Sequence, residues 1–235
     1  GQEVVATPSA GYYFQSWSDG VTEPKRTDKE VKDSVNVTAL FAPFATLPDG
    51  NDFESRQFDR GWYTVSVGQS YDPWYITNLV QAKVSPIDGY SAACNSDKMG
   101  MGAWVESYLY SPIYLLPAGW NSKVLVSADY AFKMIRYDTL KLQYRVNEEE
   151  WKDLRALLFL DQQGKRSDTV DRALAGGDQL QFRWMYKTAW SYAAMLDNIA
   201  ITPIVSTPVT ITYKAEPSEG GKIWQLGADG SKTVE

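Results

Sequence analysis

The 235-residue chain contains no histidine. That removes the imidazole base of Ser-His-Asp and Cys-His catalysis, the His-containing zinc sites and the most frequent general base. There is one cysteine, Cys94, so neither an intrachain disulfide nor a CxxC metal site can form. With no imidazole beside it and Ala92, Ala93 and Asn95 around it, Cys94 reads as a packed thiol. Basic residues are outnumbered, 23 Lys and Arg against 29 Asp and Glu, for a formal charge of −6. That balance excludes a nucleic-acid footprint, which needs clustered cations, and suits solubility and divalent cations. Long apolar runs are missing as well. The stretch from Tyr108 to Leu116 is broken by Ser111 and Pro112 and falls short of the roughly 20 residues of a membrane span. Gly1-Gln2-Glu3 has neither a basic nor an apolar leader character, so an export signal is expected to lie upstream or to have been removed. Helix signals are scarce too. Only Asp153 to Leu160 could pass for a short helix, and its Leu and Phe suit a strand equally.

What is present is strand alternation and a high aromatic content, 14% of residues. Val124, Val126, Ala128, Tyr130 and Phe132 alternate with Leu125, Ser127, Asp129, Ala131 and Lys133. Leu140, Leu142, Tyr144 and Val146 alternate with Lys141, Gln143 and Arg145, and Leu180, Phe182, Trp184 and Tyr186 with Gln181, Arg183 and Met185. A period of two with one apolar face predicts half-buried antiparallel strands. Shorter strands are expected at Val35 to Phe41, Tyr108 to Tyr114, Met195 to Ile201 and Val209 to Tyr213. Turn chemistry at Thr46 to Asp52, centred on Pro48-Asp49-Gly50, and a second break from Thr202-Pro203 to Thr207-Pro208 divide the chain. The expected units are 1–44, 45–204 and 205–235, and the class is all-β.

The first flank runs from Val4, Ala6 and Pro8 through Gly11-Tyr12, Phe14 and Trp17-Ser18-Asp19-Gly20 to Arg26, Asp28 and Val37-Thr38-Ala39 with Phe41. This pattern closely resembles the second half of the internalin-type B repeats, β-grasp-like units in tandem on bacterial surface proteins. The last flank, with Ile211-Thr212-Tyr213, Gly220-Gly221 and Lys232-Thr233-Val234, looks like the first half of the same repeat. The resemblance implies partial small β repeat units at both ends, completed by neighbouring domains of a longer chain. Trp17 and Tyr12 would then be core residues of that unit. A chain lacking residues 1–44 is expected to keep the central unit folded, as a surviving thermal transition would show.

The central unit opens with Asp52-Phe53-Glu54-Ser55, continues with Gly61-Trp62, Asp72-Pro73-Trp74 and Tyr108-Leu109-Tyr110-Ser111-Pro112 to Pro117, and closes with Phe182-Arg183 and Leu196-Asp197-Asn198-Ile199. That order resembles the cleaved-adhesin domains of gingipain-type surface proteases and, more distantly, the MAM domains of animal receptors. Both are jelly-roll β-sandwiches, in keeping with the strand count. The adhesin resemblance implies a structural Ca2+ site held by Glu54 and Asp197, with Asp52 and Asp72 as further ligands. Asp197 lies in an otherwise apolar strand, where an unpaired carboxylate is costly, so it should face either a metal or a base such as Arg183. Asp52 could equally be a turn residue. Asn198 stands where family members often carry a second acid, which would weaken the site.

Jelly rolls also build carbohydrate-binding modules and glycosidases, so the fold assigns no function by itself. Trp190 and Tyr192 fall in a predicted loop where they could stack on sugar rings or simply cover the core; Trp104 and Trp120 lie near turn glycines. A carboxylate pair, as in glycosidases, is a hydrolytic chemistry that composition does not exclude, but Glu148-Glu149-Glu150 reads instead as a solvated hairpin turn. The tripeptides at Asp33, Asp138 and Asp168 look like bacterial O-glycosylation acceptors. The expectation is a non-enzymatic, adhesin-like module on the cell surface or secreted, recognising a host or matrix protein or a glycan. The alternatives are a carbohydrate-binding accessory module of a secreted hydrolase and a structural spacer.

Overall fold

The computed structural model describes residues 2–67, 74–79, 86–100, 102, 104–133, 138–158, 162–189 and 191–205, with the strands at 224–226 and 232–234. The chain divides into a unit Gly1–Ile204 and a unit Val205–Glu235.

The first unit begins with four short strands, β1 (Glu3–Val5), β2 (Tyr12–Trp17), β3 (Lys25–Thr27) and β4 (Ala39–Pro43). They form two antiparallel ladders, β1 with β3 and β2 with β4. The Trp-Ser-Asp-Gly and Arg-x-Asp elements of the sequence meet here. Arg26 lies over the Trp17 ring at 5.1 Å and bridges Asp19 at 3.0 Å and Asp28, while the indole N–H of Trp17 donates to Glu23 O at 2.9 Å. Gly20, at φ +87°, closes the turn between them by donating its N–H to Trp17 O. The strand expected from Val35 begins only at Ala39.

Eleven further strands build an all-β, jelly-roll sandwich of two antiparallel sheets. They are β5 (Asp49–Asn51), β6 (Tyr63–Ser66), β7 (Tyr75–Thr77), β8 (Ser91–Asn95), β9 (Trp104–Leu115), β10 (Lys123–Lys133), β11 (Thr139–Val146), β12 (Lys152–Leu158), β13 (Gln162–Thr169), β14 (Gln179–Ala189) and β15 (Ala193–Ile204). One sheet has the order β13-β10-β15-β8-β7, with β5 added alongside β15; the other has the order β12-β11-β14-β9-β6. Expected inward rows line the space between the sheets: Val124 to Phe132, Leu140 to Val146 and Leu180 to Tyr186, all at alternate positions, belong to one buried cluster with Cys94. Trp184 stacks on Trp62 and donates its indole N–H to the Tyr130 hydroxyl of the opposite sheet at 3.1 Å. Residues 152–158 form an edge strand rather than a helix, since they pair along β11.

The segment around Pro48-Asp49-Gly50 is not a free turn. Asp49, Gly50 and Asn51 pair with Ile201, Ala200 and Ile199, and a Cβ on Gly50 would stand 2.2 Å from the Ile199 carbonyl oxygen. Glycine is needed there for close backbone approach, not for bending. The second unit contains β16 (Trp224–Leu226) and β17 (Lys232–Val234), an antiparallel pair. The strand expected at Val209 to Tyr213 lies outside the described residues.

Candidate functional site

A bulge in β15 creates the first constellation. Ala194 and Leu196 point into the core, as do Ile199 and Ile201, so the inward parity changes between 196 and 199. The register with β10 shifts at the same place, between Ser127 and Asp129, and Asn198 takes φ +48°. Asp197 and Asp129 thereby become direct cross-strand partners on the outer side of the sheet, 2% and 8% exposed respectively. The segment 86–90 folds over them, its Ile87 packed on Ala93, Ala131, Ala193 and Met195.

Each carboxylate is held by amides rather than by cations. Asp197 accepts from the backbone N–H of Asn198 (2.7 Å) and of Asp88 (3.1 Å), and Asp129 accepts from the Asn198 side-chain amide (3.0 Å). Glu54, on the solvent side, accepts from the backbone N–H of Tyr90 at 2.7 Å. A Cβ on Gly89 would fall 1.9 Å from a Glu54 carboxylate oxygen, so glycine makes that approach possible. Burial first, and then the nearby Asp129 and Glu54 charges, push the Asp197 carboxyl up to about 6, against the two backbone N–H bonds. Among the described residues no ion pair involves Asp197, Asp129 or Glu54.

Backbone amides of segment 88–90 reach both Asp197 and Glu54; the cross-strand partner of Asp197 is Asp129, which sequence reasoning missed. Its only signal was an acid among the outward residues of β10, opposite a strand whose own parity breaks. The alternative partner for Asp197 fails: Arg183 belongs to the other sheet, where it bonds Gln143 and Tyr110. Asp52 is exposed and accepts from the Glu54 backbone N–H at 3.2 Å, as a turn residue would. Asp72 lies outside the described residues. Among the described residues no three His, Cys, Asp or Glu side chains are grouped so as to hold a metal alone. A cation here would therefore need backbone carbonyls beside the carboxylates.

The second constellation covers the outer face of the five-stranded sheet. Alternation turns Gln143 and Arg145 of β11, and Gln181 and Arg183 of β14, away from the core, with Gln143 opposite Arg183 and Arg145 opposite Gln181. Aromatic rings enclose them. The Arg183 guanidinium lies 4.2 Å from the Trp151 ring and 4.5 Å from Tyr108, and Arg145 lies 4.8 Å from the same Trp151 ring. Tyr63 stacks on Tyr110 at 4.7 Å and 6°. One end of this face is occupied by the first flank, where Tyr13, Ala42 and Phe44 pack on Ile113. The alternation had marked these rows as merely polar; the aromatics that frame them come from β6, β9 and the turn before β12, which no single-strand pattern connects.

The loop aromatics are placed differently. Trp190 lies outside the described residues. Tyr192 packs on the outer cluster of the other sheet under Lys133, 4.7 Å from its ring, and its carbonyl is bonded by Ser96 and Asp97. Glu149 of the acidic triplet is tied to Lys152 and Arg172 beyond the turn after β11. Of the three tripeptides only Asp33-Ser34 is exposed; Asp138 is buried and accepts from Thr188 and Tyr186, and Asp168 pairs with Arg155.

Residues 2–45 match the family model of the divergent InlB B-repeat domain. No curated protein matches the chain. Similar solved structures include a cleaved adhesin domain of Lys-gingipain from Porphyromonas gingivalis, at 11% identity and TM-score 0.49, covering 66% of this chain and 97% of that one. TmCBM61, solved in complex with β-1,4-galactotriose, is similar at 7% identity and TM-score 0.48, covering 65% and 94%. The CBM22-1 xylan-binding domain from Paenibacillus barcinonensis Xyn10C is similar at 16% identity and TM-score 0.39, covering 69% and 99%.

Proposed function

We propose that the chain is a non-catalytic recognition module of a secreted or cell-surface bacterial protein, stabilised by a structural calcium ion at Asp197 and Glu54. The observation that carries the calcium reading is the pairing of Asp197 with Asp129. Two carboxylates lie side by side on a loop-covered sheet face, with Glu54 beside them and no cation partner among the described residues. Burying that charge is unfavourable. A hard divalent ion wants six to eight oxygens, of which Asp197 and Glu54 would supply carboxylate oxygens and backbone carbonyls or water the rest.

The non-catalytic reading rests on chemistry. Histidine is absent, and the carboxylates Glu106, Glu149 and Asp153 are committed to lysine or arginine partners. The match of residues 2–45 to a repeat of bacterial surface proteins supports an extracellular setting. Residues 1–44 and 205–235 serve as repeat halves toward neighbouring domains, and 45–204 as the recognition domain. A glycan-binding role is favoured over that of a spacer by the aromatic and guanidinium face, which a spacer has no reason to assemble.

Thermal melting tests the calcium reading. Calcium at about 1 mM raises Tm by roughly 5 °C, chelator reverses the shift, and Asp197→Asn abolishes the response. An unchanged Tm in the parent chain contradicts it.

A further inference from the structure

The charge balance of the five-stranded face identifies its ligand more closely. Lys141 is paired with Asp153 and Lys187 with Glu106 at 2.9 Å, which accounts for both acids of this face. Arg145 and Arg183 remain. Elsewhere in this acidic chain Arg26, Arg60, Arg155 and Arg172 each face a carboxylate, while Arg56 lies over the Tyr90 ring. Arg145 and Arg183 are instead positioned by neutral groups. Arg183 donates from Nε to Gln143 Oε1 at 2.7 Å and from Nη1 to the Tyr110 hydroxyl at 3.1 Å. Arg145 donates from Nε and Nη2 to Gln181 Oε1 at 3.2 and 2.9 Å.

The supporting amides are themselves fixed, Gln181 by donating to Ser111 O at 3.0 Å and Gln143 by donating to Asp153 at 2.6 Å. Both guanidiniums are thus oriented by neutral acceptors. Arg183 helps to hold Asp153 and Glu106 low from nearby, yet those two acids face four cations on this side of the sheet. Among the described residues nothing accepts from Arg183 Nη2 or Arg145 Nη1. A guanidinium held in place is a fork for an oxyanion, and holding it beforehand lowers the cost of binding. The half-buried Trp151 and Tyr108 rings flank the fork, and the 52% exposed Trp104 lies further along β9, under Lys187. From residue 104 to 110 this row spans about 20 Å, the length of an oligosaccharide rather than of one sugar.

We infer that this face binds an acidic glycan, with the carboxylate of a uronic acid on Arg183 and Arg145 and sugar rings against Trp151, Tyr108 and Trp104. Flat rings interleaved with planar donors suit pyranose faces and their edge hydroxyls. The inference rests on the recognition reading above, and names the class of ligand for it.

The test is calorimetric titration of the full chain at fixed calcium with trigalacturonate, its methyl ester and xylohexaose. The free acid binds, while the ester and the neutral oligosaccharide bind at least about tenfold more weakly. Arg183→Gln and Arg145→Gln each lose about tenfold in affinity for the acid, with far-ultraviolet circular dichroism unchanged. Equal binding of acid and ester overturns the assignment whether or not either variant folds. Binding of xylohexaose alone rejects the acidic sugar and leaves recognition standing; absence of binding by all three glycans rejects both. Retention of full affinity in the folded variants also overturns it.

Discussion

At the residue scale, Asp197 couples the fold to pH. Its folded-state value, about 6, lies above that of an unfolded aspartate, near 3.9. A carboxyl raised in this way contributes stability that is present below the unfolded value and lost as pH rises through the folded one. Asp138 acts with the same sign, since burial raises it against hydrogen bonds from Ser191, Thr188 and Tyr186. Asp19 has the opposite sign: its hydrogen bond from Arg26 holds it low, so its contribution is lost on acidification. Glu106, Glu149, Asp153 and Asp171 are lowered like Asp19. The Asp197 contribution is therefore read in chelator as the urea-unfolding stability of the parent chain relative to Asp197→Asn, which should fall between pH 4 and 6 by roughly 2 kcal/mol. A difference that stays constant over that range would place the titration elsewhere.

At the element scale, Trp184 donates to the Tyr130 hydroxyl across the apolar interior, while Tyr114 to Asp49 and Arg155 to Asp168 join the two sheets elsewhere. Tyr130→Phe keeps the ring and removes the acceptor, leaving a buried indole N–H unpaired. The expected cost is about 1–2 kcal/mol, read as a lower urea midpoint with unchanged slope; a neutral variant would mean that this bond contributes nothing. The long strands were legible because β10, β11 and β14 each bury every second residue. What the sequence concealed were the places where period two fails. The bulge at Asp197-Asn198 looks like ordinary strand in Met195-Leu196-Asp197-Asn198-Ile199 until the parity of Leu196 and Ile199 is compared. The Pro48-Asp49-Gly50 segment carries turn chemistry, yet its glycine serves a tight strand contact with Ile199. Asp129 could be joined to Asp197 only by a register, and registers are long-range. The same holds for the aromatic face, whose rings come from β6, β9 and the turn before β12.

At the scale of the whole molecule, the two outer faces of the sandwich differ in charge. The outer side of the six-stranded sheet concentrates uncompensated carboxylates under a short loop, which suits a cation that fastens the start of the sandwich to its last strand. The outer side of the five-stranded sheet sets two guanidiniums without ion-pair contacts of their own among aromatic rings, which suits a ligand. The first flank packs against one end of that second face through Tyr13 and Phe44 and leaves Trp151, Tyr108 and Arg183 partly open. In the proposed reading the cation and the ligand lie on opposite sides of the sandwich, so calcium would support recognition through stability, not by touching the ligand. Isothermal titration with calcium measures this directly. The account predicts one ion per chain, with Kd on the order of 10⁻⁴ M, and no binding in Asp197→Asn. Absence of binding to the parent chain, or equal binding to the variant, would contradict it.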